Sequence, residues 1–199
     1  MGQDSLSDMS VLDSQIREAY GRVVYSHKTH EKCADNCLFW QRIVKNTQIW
    51  LSAVTSGVLI YAIWGDTKVA TIVGAVLSTI YAIVTLYTKD YDMGAIAEKH
   101  RETAIEIWAI REMYLALIAD IQVGDQPFES IRKRRDQLVV DLKAVYKGCP
   151  ATDAKGYAAA QKALKECEDM TFSQEELNKL LPPALRKPDL KTSPALPPK

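Results

Sequence analysis

NTQIWLSAVTSGVLIYAIWG, residues 46–65, and VATIVGAVLSTIYAIVTLYT, residues 69–88, contain no Asp, Glu, Lys or Arg. Each is twenty residues long, and at about 1.5 Å of rise per helical residue each reaches roughly 30 Å, the hydrocarbon thickness of a bilayer. The pattern predicts two membrane-spanning helices, 46–64 and 69–88. The linker Gly65-Asp66-Thr67-Lys68 allows only a tight reversal, so the helices are expected to pair antiparallel, with both chain ends on one side of the membrane. A soluble bundle that buries both runs is the alternative, and uncharged stretches of this length are rare in soluble cores.

Outside the hairpin the composition is that of a soluble protein. The chain has 199 residues, enough for one domain plus a membrane element, with 25 basic and 25 acidic residues and no net charge. Its mean hydropathy of -0.14 averages two different solvents. Charge balance gives no reason to expect nucleic-acid binding. The first thirty residues lack the apolar core of a secretory signal, so targeting is expected to come from the hairpin. The four cysteines, Cys33, Cys37, Cys149 and Cys167, lie outside the spans and form no compact disulfide framework; reduced thiols are expected.

Basic residues set the orientation. Lys28, Lys32, Arg42 and Lys45 precede the first span and Lys89, Lys99 and Arg101 follow the second, against Lys68 alone in the linker. The positive-inside rule then puts both termini in the cytoplasm. Trp50, Tyr87 and Tyr91 near one boundary and Tyr61 and Trp64 near the other match interfacial aromatic belts.

The remainder reads as helices. Residues 1–9 are polar and expected to be disordered. From Ser10 to Lys45 a helix carries an apolar stripe of Val11, Ile16, Tyr20, Val23 or Val24, His27, Glu31, Ala34 and Leu38, and is expected to run on into the first span as a stalk. After Lys89, the positions Ile96, His100, Thr103, Ile107, Ile110, Tyr114, Leu117 and Ile121 alternate steps of four and three, with Ala104, Trp108, Leu115 and Ile118 widening the face. Gly124 to Pro127 ends that helix. The next, about 128–147, repeats the spacing with Ile131, Arg135, Leu138, Leu142 and Val145 and is expected to fold back antiparallel. Gly148-Cys149-Pro150 stops it. A third helix, near 153–168, places Tyr157, Ala160, Leu164 and Cys167 on one side, and Ser173 to Glu176 has the capping-box pattern of a short helix through Leu181. Residues 182–199 hold six of the eight prolines and are expected to be an extended, disordered tail. The fold class is therefore all-α: a two-helix transmembrane hairpin, a long N-terminal helix, and a cytoplasmic antiparallel bundle within residues 89–181.

Three sets of residues are candidates for function. Ala70, Gly74, Ser78 and Ala82, with Ala53 and Gly57 on the first span, are small residues at helix-packing spacing, suited to hairpin closure or to contact between copies. Ser52, Thr55, Ser56, Ser78 and Thr85 are the hydroxyls available to line a water path. Arg132, Lys133, Arg134 and Arg135 form the one dense basic run, either a solvated helix face or a contact for an anionic signal or partner. His27, His30, Cys33 and Cys37 are metal-ligand types on one helix, but one straight helix does not wrap four ligands round an ion, so packing is the reading and no metal or cofactor is expected. No phosphate loop or nucleophile–base arrangement occurs, so catalysis is not expected either.

Several phrases in order resemble a known family. Tyr25-Ser26-His27-Lys28-Thr29-His30-Glu31-Lys32, Gln48-Ile49-Trp50-Leu51-Ser52-Ala53, Tyr87-Thr88-Lys89-Asp90-Tyr91-Asp92 and Trp108-Ala109-Ile110-Arg111-Glu112 resemble the SLATT domain, the two-transmembrane effectors associated with SMODS nucleotidyltransferases and SLOG proteins. Arg132-Lys133-Arg134-Arg135-Asp136-Gln137-Leu138 and Met170-Thr171-Phe172-Ser173 extend the likeness to most of Ser10 to Lys187. The resemblance implies a bacterial antiphage-defence effector of the inner membrane. Such a protein would oligomerise to permeabilise that membrane and cause death or dormancy when a cytoplasmic signal is sensed. The implied partners are the lipid bilayer, further copies of the chain, and a sensor protein or nucleotide second messenger from a neighbouring gene. The alternative is a membrane-anchored helical scaffold that recruits a signalling partner without forming a pore.

Overall fold

No proline precedes Pro127, and the chain up to that point forms three long helices. The computed structural model describes residues 2–65 and 67–187, with side chains from Asp8 onward. Among the described residues every regular element is helical. Two compact units are present, Met1–Ala160 and Gln161–Lys199.

In the first unit, α1 (Gly2–Gly65) is one unbroken helix of 64 residues, about 96 Å long. It starts before the expected Ser10 and carries the stalk into the first apolar run without a break. Thr67 is extended, with φ -102° and ψ 111°, and leads into α2 (Lys68–Asp90). Asp92 caps the next helix, α3 (Met93–Val123), by accepting from the Gly94 and Ala95 amides at 2.8 and 3.1 Å. Gly124, at φ 75°, closes α3 in the left-handed conformation that glycine adopts without strain. Pro127 then precedes α4 (Phe128–Gly148).

Pairwise contacts fix the directions. Gln41 lies against Gly94 and His30 against His100, so α3 runs antiparallel to α1. Arg135 reaches Gln15 at 2.8 Å and Tyr146 reaches Ser26 at 2.8 Å, both across the same sequence offset, so α4 runs parallel to α1. Met113 and Arg134 join α3 to α4, the antiparallel return expected from the sequence. Helix α1 is thus the spine of both the three-helix bundle and the hairpin.

The bundle core is Leu12, Ile16 and Val23 of α1, Ile107, Ile110, Tyr114, Leu117 and Ile118 of α3, and Ile131 and Leu138 of α4. Each fully buried aliphatic side chain contributes about 1.5–3 kcal/mol. Four positions differ from the sequence reading. Leu12 is buried where Val11 was expected and Val11 is exposed, because the face toward α3 runs 12, 16, 23, 27 and 30. Trp108 and Leu115 were assigned to the buried face of α3 and are half exposed.

Helix α5 (Ala154–Lys165) straddles the two units. Its buried positions are Gly156, Ala160 and Ala163, whereas Tyr157 and Cys167, expected on the inward side, are exposed. A Cβ at Gly156 would collide with Cys33, so α5 approaches α1 closely at that glycine. Helix α5 stops before the expected Glu168, which has φ 53° and lies outside helical geometry.

In the second unit, α6 (Gln174–Leu180) opens with the capping box read from the sequence: the Glu176 amide donates to Ser173 Oγ, and the Ser173 amide to Glu176 Oε2. Residues 182–187 depart from the expected extended tail. They form a 3-10 turn, Pro183–Leu185, and return to α6, where Asn178 both donates to the Lys187 carbonyl and accepts from its amide. The rest of the tail, 188–199, lies outside the described residues.

Candidate functional site

The hairpin is apolar and exposed. Only 11% of the most apolar window of α1 and 6% of that of α2 is buried in the structure. Apolar helices of a soluble core are mostly buried, so these two have the length, composition and exposure of a membrane hairpin. Tyr87 and Tyr91 stack at 5.2 Å at its open end, where Gln48 also donates to Thr88 at 3.2 Å across the two helices. After Val11, exposed large apolar side chains on α1 resume at Phe39 and Trp40, before the expected boundary at Asn46.

The contact face within the hairpin follows steps of three and four. On α1 it is Val44, Gln48, Leu51, Thr55, Val58 and Ala62; on α2 it is Ala70, Gly74, Leu77, Val84 and Thr88. Gly74 is the buried residue of α2 and a close approach, since a Cβ there would meet Leu59 Cδ2 at 2.6 Å. Of the expected packing set, Ala70 and Gly74 therefore close the hairpin, while Ala53, Gly57, Ser78 and Ala82 face outward. The four-residue repeat on α2 explains the split. Four residues advance about 400°, so each step drifts roughly 40° off a straight seam, and by Ser78 the stripe has left the partner helix.

That drift gathers the hydroxyls. Thr55 is buried in the seam, and its Oγ1 donates to the Leu51 carbonyl at 2.7 Å. Ser52 and Ser56 lie about 80° and 120° beyond the seam of α1, and Ser78 and Thr85 about 80° and 60° beyond that of α2, at 100° per residue. Because the two helices run antiparallel, rotations of the same sign lead to the same flank. Four of the five expected hydroxyls thus share one exposed side of the hairpin, while Val54, Val76 and Ile80 occupy the other. Ser56 donates to the Ser52 carbonyl at 3.0 Å, so its hydroxyl is satisfied within the helix and tolerates lipid or water alike.

Two further features lie in the bundle. His30 and His100, 2% and 3% exposed, meet with Nδ1 atoms 2.9 Å apart, so one ring donates its proton to the other. Burial, with His100 and His27 alongside, holds His30 down to about 4, and burial lowers His27 and His100 too. His27 Nδ1 is buried without a hydrogen-bond partner. Cys33 donates to Asp153 Oδ1 at 3.7 Å, and the same oxygen accepts from the Gly156 amide at 2.7 Å, capping α5. Burial raises the Cys33 and Cys37 thiols, which keeps them protonated and unreactive. His27, His30, Cys33 and Cys37, grouped by sequence spacing, are thus parted by the structure, with His30 turned to α3 and Cys33 to α5.

The second feature is a cleft of about 820 Å³ between α1, the end of α4 and the turn into α5. Tyr25, Ser26, Thr29 and His30 form its α1 wall; Tyr146, Thr152 and Tyr157 face them. Sequence reasoning missed it because its walls come from segments about 120 residues apart; Gly21, which lines it from the bundle part of α1, was the one local sign. In the basic run, Arg132 pairs with Glu129 at 3.8 Å and Arg135 bonds Gln15, so Arg135 ties α4 to α1 while Arg132, Lys133 and Arg134 stay exposed.

An all-helical chain whose bundle is built on the extension of one leg of an apolar hairpin is, by class, a two-span membrane protein. Over residues 12–176 it matches the family described as SMODS and SLOG-associating 2TM effector domain family 4. The chain belongs to that family, which agrees with a membrane location. No curated protein and no solved structure matches it.

Proposed function

We propose that the chain is a bacterial antiphage-defence effector of the inner membrane, with both termini cytoplasmic, whose copies assemble and permeabilise that membrane once the bundle senses a signal or partner. It acts without catalysis. The observation that carries this reading is the gathering of Ser52, Ser56, Ser78 and Thr85 on one flank, where Leu59 and Ile63 stand beside them, with Val54, Val76 and Ile80 on the other. Two helices do not enclose water, so a path for ions needs several hairpins, each offering its hydroxyl flank inward. The exposed Ala53 and Gly57 offer close contact between neighbouring copies. Arg132, Lys133 and Arg134 are the proposed contact for the activating partner, whether a sensor protein or an anionic messenger.

Ion flux from liposomes holding the purified chain tests this. With the activator present, replacing Ser52 and Ser78 together by Leu should cut flux about tenfold or more by dewetting the path. Val54→Ala and Ile80→Ala, on the opposite flank, should leave it unchanged. Absence of any leak under every activating condition would reduce the hairpin to an anchor for a scaffold.

A further inference from the structure

We propose that the cleft between α1, α4 and the α4–α5 turn is a binding site for a small, flat aromatic anion. Its volume of about 820 Å³ lies within the roughly 300–1,000 Å³ usual for small-molecule sites. Tyr25 and Tyr157 stand with ring centroids 6.1 Å apart and planes inclined by 29°, and Tyr157 is 53% exposed. A planar ring laid on the open face of Tyr157 extends that stack. Arg22 is the one fully charged residue of the described lining, and no carboxylate lines the cleft. Arg22 now pairs with Glu18 on the outer side of α1, and a bidentate anion would compete for the guanidinium. Around the rings, Tyr146 donates to Ser26 Oγ at 2.8 Å and Thr29 donates to the Tyr25 carbonyl at 2.7 Å, leaving hydroxyl oxygens as acceptors for a ligand donor.

The wall of the cleft is also the spine of the molecule. His30 lines it and bonds His100 on α3, and α1 continues from there into the hairpin. A ligand here touches the helix that enters the membrane about 24 Å further on. That the ligand triggers the hairpin rests on the function proposed above; that it binds does not.

The test is calorimetric titration of the full chain in detergent micelles with adenosine 5′-monophosphate and indole-3-acetate as aromatic anions, adenosine as the neutral aromatic and inorganic phosphate as the bare anion. At least one aromatic anion should bind, about tenfold or more tighter than adenosine or phosphate. Arg22→Gln, at an exposed position, should remove the preference for the anion. Gly21→Leu should abolish binding by filling the cleft, since a Cβ at Gly21 meets nothing within 4 Å and helix propensity improves. Failure of both aromatic anions to bind, equal binding of adenosine, or binding that survives Gly21→Leu would overturn the site. Flux from liposomes holding the same chain, with the same ligands, separates the two proposals: binding without flux upholds the cleft and removes it as trigger, while flux with an unrelated activator and no binding overturns the cleft alone.

Discussion

At the scale of single residues, His30 gives the fold a direction in pH. Its imidazole is held at about 4 in the folded chain against an ordinary 6.5, so between those values the unfolded chain binds more protons. Stability therefore falls as pH drops from 6.5 toward 4 and is complete above that window. The loss reaches at most about 3 kcal/mol for His30, and His27 and His100, lowered by burial as well, act in the same sense. Asp153 and Glu31 oppose the shift at His100 and His27, while Arg111 and Lys28 reinforce it at His27. Thermal unfolding in detergent should show Tm declining between about pH 7.5 and 4.5. Replacing His30 and His100 together by Leu should flatten that decline, because removing both partners of a buried hydrogen bond strands neither.

At the scale of elements, the continuity of α1 is open to a direct test. Arg42 is exposed and lies between bundle and hairpin. Arg42→Pro removes one backbone hydrogen bond and kinks the helix, at a cost of about 3 kcal/mol. Bundle and hairpin should each persist, seen as retained helix content and membrane insertion, while activated ion flux falls severalfold; Arg42→Ala should change neither. What the sequence revealed of these elements followed the range of each interaction. Helix ends at Gly124, Gly148 and Ser173 were legible because caps are local chemistry, and so were the spans, because a bilayer demands only length and lack of charge. The choice of Leu12 over Val11, and the exposure of Trp108 and Leu115, depend on which side of each helix its neighbour occupies. A periodic stripe two or three residues wide does not specify that. The meeting of His30 with His100 and the cleft were invisible for the same reason. Among the candidate residues, the hydroxyls of the spans could be listed by type from the sequence, but their common flank emerged only once the seam through Thr55 and Gly74 was known.

At the scale of the whole molecule, the proposed orientation makes the linker and the bundle face opposite solvents. Thr67→Cys, in a chain otherwise lacking cysteines, should react in spheroplasts with a membrane-impermeant maleimide. Cys167 as the sole thiol, exposed and downstream of the second span, should react only after lysis. The reverse pattern would invert the topology and with it the compartment of the signal. An unbroken α1 has a further consequence, which is one of phase. The cleft at Gly21 to His30 and the hydroxyl flank at Ser52 and Ser56 sit on one rigid rod, so their angular relation is set by a count of residues. One residue inserted between Leu38 and Lys45 would turn the flank by about 100° relative to the cleft, whereas seven would return it to within about 20°. The spacing between the two is in that sense a gear ratio, written in the length of the helix rather than in any side chain.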